Sequence, residues 1–245
     1  MIRSGLPALA TAAHLLLAGT AAAQSIEAAR SAQDEGRYVE AAELAEALGT
    51  SDGYALAAES LAIHGYYIAG EADRETLFLR AMGLAEEAVR TDTSSPEAHF
   101  QAAHAMGRYA QTIGPAKAIG SGYVTKIRKS LEEALALDPE MAAAHLSLAT
   151  WHAEAIAGAG IVARLTYGAS RKRAIAHYEE AVRLAPDETV VYVEYANGLL
   201  QLNRKKYRKR ARKLLERAIA TPPKDAFDRL LHERAAAKLA GLDGE

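Results

Sequence analysis

Cysteine is absent from all 245 residues. That excludes disulfides, thiolate metal sites, cysteine nucleophiles and an N-terminal lipid anchor built on cysteine. Aromatic side chains make up only 6% of the chain, with a single tryptophan. A core assembled here therefore has to rely on small and aliphatic residues. No HExxH, GxSxG or GxxxxGK[ST] pattern occurs, and Gly120-Ser121-Gly122 runs into Tyr123 without the lysine that a phosphate loop requires. What is present is an alanine-rich, Glu- and Arg-rich sequence with few β-branched runs, which favours helix. A chain of this length buries enough apolar surface to fold without staples.

Residues 1–23 read differently from the rest. Arg3 precedes a short apolar run ending at Leu17, and Ala21-Ala22-Ala23 precede Gln24. A basic start, a short apolar middle and small residues at the end describe a secretory signal peptide, with cleavage expected after Ala23. The apolar run is too short to span a bilayer comfortably. The expectation is a periplasmic or secreted protein whose residues 24–245 form one helical-repeat domain.

The net charge of −2 hides an asymmetry. Residues 24–140 carry 19 acids against 10 bases, whereas residues 141–245 carry 12 acids against 18 bases.

Internal periodicity organises the chain. Ile127, Leu131, Ala134 and Pro139 recur as Ala174, Tyr178, Ala181 and Pro186, and again as Ala211, Leu215, Ala218 and Pro223. Small residues at the first and third positions allow a partner helix to approach closely. The larger middle residue fills the space, and proline stops the helix and is expected to open the next. Asp138 is placed to cap that next turn. Weaker copies run through Ala41, Ala45 and Leu48, and through Ala81, Ala85 and Ala88 up to Pro96. This pattern resembles tetratricopeptide (TPR) repeats, whose helix–turn–helix unit is about 34 residues. It predicts an all-α TPR-like α-α superhelical solenoid of about five helix pairs plus a closing helix.

The prolines 96, 139, 186 and 223 are separated by more residues than that unit needs. The surplus falls inside two pairs, in segments 112–126 and 155–173. Both are expected to be structured inserts packed at one rim. Ile161, Val162, Leu165 and Tyr167 are together too apolar to be left in water.

A narrower likeness covers residues 96–220. Gly107-Arg108-Tyr109, then GYVTKIRKSLEEALALDP (122–139), Trp151, IVARLTYGAS (161–170) and AIAHYEEAVRLAP (174–186) resemble the regulator-of-microtubule-dynamics family. The resemblance implies a TPR-like fold, whereas an export signal departs from the animal members. In compartment and fold the chain also resembles the repeat-containing periplasmic component of tripartite ATP-independent transporters.

Histidines and carboxylates offer no catalytic constellation. His145 and His152 share a helix face, but that face points into the repeat core. These histidines, with His99 and His104, read as core or rim side chains bonded to backbone. Glu132-Glu133 and Glu179-Glu180 are adjacent on helices and point about 100° apart, so neither pair can share a proton. No catalytic residue, metal site or cofactor is expected.

Two surfaces remain. The first helix of each pair lines the groove of such arrays, which places Leu146, Thr150 and Glu154 there, followed by Val190, Val193, Asn197 and Gln201. Only Asn197 matches the Lys/Asn set with which TPR proteins clamp a peptide carboxylate. The other surface is the run 203–213, where eight of eleven residues are basic. As a helix it turns Tyr207, Ala211, Leu214 and Leu215 inward. Arg204, Lys205, Arg208, Lys209 and Arg212 face outward, suited to an anionic lipid surface or an acidic partner. An exported protein is a poor fit to nucleic acid. The expected role is a non-enzymatic adaptor or scaffold for a protein or peptide. The alternative is a periplasmic component that holds a small apolar or acidic ligand for a transporter.

Overall fold

The computed structural model describes residues 26–243, so segment 1–23, read above as a signal peptide, lies outside the described residues. Among the described residues every regular element is a helix. In chain order they are α1 (26–34), α2 (Tyr38–Glu46), α3 (Ser51–Tyr67), α4 (Glu71–Thr91), α5 (Pro96–Ile113), α6 (Pro115–Gly120) and α7 (Tyr123–Leu137). These are followed by α8 (Ala142–Tyr167), α9 (Arg171–Leu184), α10 (Thr189–Ala220) and α11 (Ala226–Asp243).

Two of these helices are broken. Gly160 lies at φ 51°, which turns the end of α8 away from its axis. Asn203 is extended at φ −171°, and its side-chain oxygen accepts from the Lys206 amide at 2.8 Å. That bond caps a new helix start, so α10 is two helices of one pair. The array is thus α1–α2, α3–α4, α5–α7, α8–α9 and the two halves of α10, with α11 closing it. The solenoid of five helix pairs is as the repeat predicts. Neighbouring elements carry nearly all the packing, as expected of stacked repeats.

The recurring positions are the core. Leu131 and Ala134, then Ala174, Tyr178 and Ala181, then Ala211, Leu215 and Ala218 are all buried. Tyr178 is fully enclosed, stacks on Tyr195 at 4.8 Å and shares a 3.0 Å hydrogen bond with Thr150. Gly198 faces it from α10, so close that a Cβ would sit 2.6 Å from the ring Cε2.

The prolines act less directly than expected. Pro139 and Pro186 each lie three residues ahead of the following helix and end the preceding one, whereas among the described residues only Pro96 and Pro115 open a helix. Asp138 accepts from the Glu140 amide at 3.0 Å, which tightens the turn but does not cap α8. Elsewhere capping is conventional: Thr50, Ser95 and Ser170 accept from the amides of Gly53, Ala98 and Arg173.

The array also closes on itself. α11 packs on α10 through Leu231, Ala235 and Leu242, then reaches the first pairs. The Arg234 guanidinium donates to the Tyr66 carbonyl at 3.0 Å and lies 4.1 Å from the Tyr67 ring centre. Phe227 meets Tyr67 edge-to-face at 5.3 Å, and a Cβ on Gly36 would be 3.0 Å from that of Ala226.

Two substitutions separate close packing from spare room. Gly198→Ala should destabilise by about 1–3 kcal/mol through overpacking against Tyr178. Gly83→Ala on α4, where a Cβ meets nothing within 4 Å, should stabilise by about 0.5–1 kcal/mol. Urea melts of the two variants should move in opposite directions, and parallel shifts would contradict this account.

Candidate functional site

The curled array encloses a chamber of about 1010 Å³ between α3, α5, α8, the first half of α10 and α11. Its volume lies at the upper end of the range for small-molecule sites. Leu146, Thr150 and Glu154 recur every fourth residue along α8 and all line it. Val190, Asn197 and Gln201 line it from α10.

Val193 does not line it. That side chain is buried in the core with Leu199 and Leu231, because the chamber-facing stripe of α10 runs through 190, 194, 197 and 201. Glu194 takes the place assigned to Val193. Asn197 does not present a free amide either: its oxygen accepts from Lys238 Nζ of α11 at 2.6 Å.

One end of the chamber is apolar. Phe100, Leu131 and Trp151 form it, and the Trp151 indole donates to the Val124 carbonyl at 2.8 Å. Both inserts contribute, through Ala118 and Ile119 of α6 and through Ala163 and Tyr167.

The other end is charged. The Arg108 guanidinium lies 3.8 Å over the Tyr66 ring and donates to Gln111, which in turn donates to Glu154 at 2.8 Å. Glu194 and Lys238 complete this end. Burial raises the Glu154 carboxyl above its usual range and lowers the Lys238 ammonium below its own. Glu59 is pushed up to about 7, first by burial and then by Glu97. His104 is driven down to about 3 by burial and by Arg108. Arg108 belongs to the Gly-Arg-Tyr stretch of the sequence, yet only the fold reveals it as a chamber residue. Tyr66, Tyr67 and Lys238 carry no sequence signal at all.

Most other histidines and carboxylates serve the scaffold. His145 Nε2 meets the Pro139 carbonyl at 3.0 Å, so its Nδ1 accepts from His177 at 2.9 Å. His99 meets the Thr93 carbonyl at 3.0 Å. Glu132 pairs with Arg128, Glu180 with Arg183, and Glu179 with Arg210. Such exposed pairs contribute about 0–1 kcal/mol each.

The basic run is less uniform than the sequence suggests. Tyr207, Ala211, Leu214 and Leu215 do turn inward. Lys205 and Lys209 are exposed, and Arg212 is half-buried. Arg204 instead lines the chamber, and Arg208 donates to the Leu242 carbonyl near the end of α11. Arg204 is nonetheless exposed, whereas Arg208 is half-buried beside α11.

Residues 54–243 match the family described as Regulator of microtubule dynamics protein 1-3. The chain belongs to that family. The match extends the likeness read from residues 96–220 into α3, α4 and α11. Among solved structures, a thermophilic TPR protein from Thermus thermophilus superposes with a TM-score of 0.62 at 17% identity. That superposition covers 88% of this chain and 99% of the other, so the shared fold is TPR-like throughout. The C-terminal part of a TPR repeat-containing protein from Cytophaga hutchinsonii is a looser relative, with a TM-score of 0.33 at 15% identity, covering 89% and 97%. No curated protein sequence matches this chain.

A pH dependence follows from the buried imidazoles. His152 is held down to about 4 by burial and by His177, and its Nδ1 accepts from the Ser170 amide at 3.4 Å. A histidine whose folded pKa is depressed stabilises the fold above its unfolded value near 6.5, and that contribution is lost as pH falls towards 4. His104 and His177 act in the same direction, whereas the raised carboxyls of Glu59, Glu97 and Glu154 favour the folded state at acid pH and oppose it. Removing His152 isolates its share: between pH 7 and pH 5 His152→Gln should lose roughly 1–2 kcal/mol less unfolding free energy than the unaltered chain. An equal pH dependence of the two proteins would refute the assignment.

Proposed function

We propose that this protein is an exported, non-enzymatic adaptor whose central chamber receives a short segment of a protein partner. A TPR-like fold is a scaffold for protein–protein interaction in general terms. The observation that carries the finer reading is the division of the chamber into an apolar end and a charged end. An occupant would place aliphatic or aromatic side chains against Phe100, Leu131 and Trp151. Its polar groups would meet Arg108, Glu154, Glu194 and Lys238. Opposite charges already stand together at that end, so the chamber suits a segment with its own backbone dipoles better than a simple ion.

One observation favours the alternative. α11 bridges the two ends of the array and turns the concave face into a half-open chamber. A volume of this size also suits a small apolar or acidic ligand delivered to a transporter. The export reading rests on residues 1–23, whose basic start, apolar run and final alanines have the signal-peptide form.

Photo-crosslinking decides between occupants. A crosslinker at Thr150 or Gln201 should capture a protein in the native host, and Ser147→Trp, which narrows the chamber, should abolish that capture. Equal capture from the outward-facing Arg90 would overturn the chamber reading. A small molecule released on denaturation, without any crosslinked protein, would establish the carrier. Intact mass of the protein from its host should correspond to a chain starting at Gln24; a full-length mass would refute export.

A further inference from the structure

We propose that the rim carrying the two inserts docks on an anionic lipid bilayer, with Ile161, Val162 and Leu165 entering the interface. The inserts and the break at Asn203 fall at the same point of three successive pairs, where the first helix hands over to the second. They therefore emerge along one edge of the array. Adjacency is direct at one place, since Arg171 and Lys172 of α9 face Tyr207 of the following helix.

The insert after Gly160 is built to protrude. Ala163 and Tyr167, four residues apart, turn inward: Ala163 is buried, and the Tyr167 carbonyl accepts from Arg128 at 2.7 Å. The other face is left outside, with Ile161, Val162 and Leu165 exposed at 64%, 59% and 75%. Sequence alone suggests these side chains pack against the array, and they do not. Nor does the hydropathy of Ala142–Tyr167 make α8 a spanning helix. It passes by length and composition, but Gly160 breaks it and the face from Ala144 to Ala153 lies in the core.

Cations predominate on the rim around this tip, where Glu179, paired with Arg210, is the acid beside Arg171 and Lys172. Segments 112–131, 155–178 and 203–215 contain four, four and eight Lys or Arg, and no Asp or Glu. Arg164, Arg171, Lys172, Arg173, Lys205 and Lys209 are exposed. Asp138, Glu140, Asp187 and Glu188 lie at the opposite rim, in the turns between pairs. The first turns of α9 and of the second half of α10 are basic, against the preference of a helix N-terminus for negative charge. A convex aliphatic tip inside a basic belt fits lipid headgroups above an acyl layer better than it fits a shaped protein pocket. Ile161, Val162 and Leu165 themselves do not line the chamber, although Ala163 and Tyr167 of the same insert do.

Vesicle flotation of the chain lacking residues 1–23 tests the proposal. Binding to vesicles of 30% phosphatidylglycerol in phosphatidylcholine should exceed binding to pure phosphatidylcholine by roughly ten-fold or more and weaken in 0.5 M salt. Ile161→Glu with Leu165→Glu should reduce it by at least about ten-fold, and Arg171→Glu with Lys172→Glu by a similar factor. All four positions are exposed, so melting temperatures should stay near that of the unaltered chain. Equal binding to both vesicles, unaltered binding by the variant combining Ile161→Glu and Leu165→Glu, or binding only to an acidic polypeptide would each overturn it.

Discussion

Close helix approach at alanine and glycine is the constraint on which this molecule depends. A protein with 6% aromatic residues, eleven of them tyrosine, has few large side chains with which to fill a thick core. It compensates by keeping its layers thin. Ala174 and Ala181 bracket Tyr178, Ala211 and Ala218 bracket Leu215, and every one of these alanines is fully buried. Where one large ring is used, its neighbour loses its side chain altogether, as Gly198 does opposite Tyr178. Thin layers bring successive pairs close, and their small rotations accumulate into a curl tight enough for α11 to touch α3.

That closure sets the character of the site. An open TPR solenoid offers an extended concave face to a long partner. Here Arg234, Tyr66, Tyr67 and Phe227 join the two ends through one hydrogen bond and a chain of ring contacts. Such contacts contribute about 0.5–2 kcal/mol each when sheltered from water.

Much of the fold was legible in the sequence because it is local and periodic. Alanines, a central large residue and a proline at fixed spacing identify the second helix of each pair without tertiary information. The groove residues on α8 were equally readable, being four apart on one face. Val193 failed because a helix face drifts with every turn: the stripe that passes through 190 and 197 meets 194, leaving 193 on the core side. Arg208 differs for another reason: it donates to the Leu242 carbonyl on α11, and no local pattern encodes that approach.

The same reasoning bears on the inserts and the basic run, where local rules are broken together. Cations in the first turn of a helix oppose its dipole by roughly 0.3–1 kcal/mol each. Exposed Ile, Val and Leu forgo the stabilisation that burial would have brought. Earlier pairs obey the rule, with Glu40 opening α2 and Glu71 and Asp73 opening α4. In the later pairs α9 has no acid in its first turn, and Arg204, Lys205 and Lys206 follow the break at Asn203. A scaffold selected for stability alone would have no reason to place both violations along one edge. Their coincidence there, opposite an acidic rim, is what distinguishes a working surface from an incidental one.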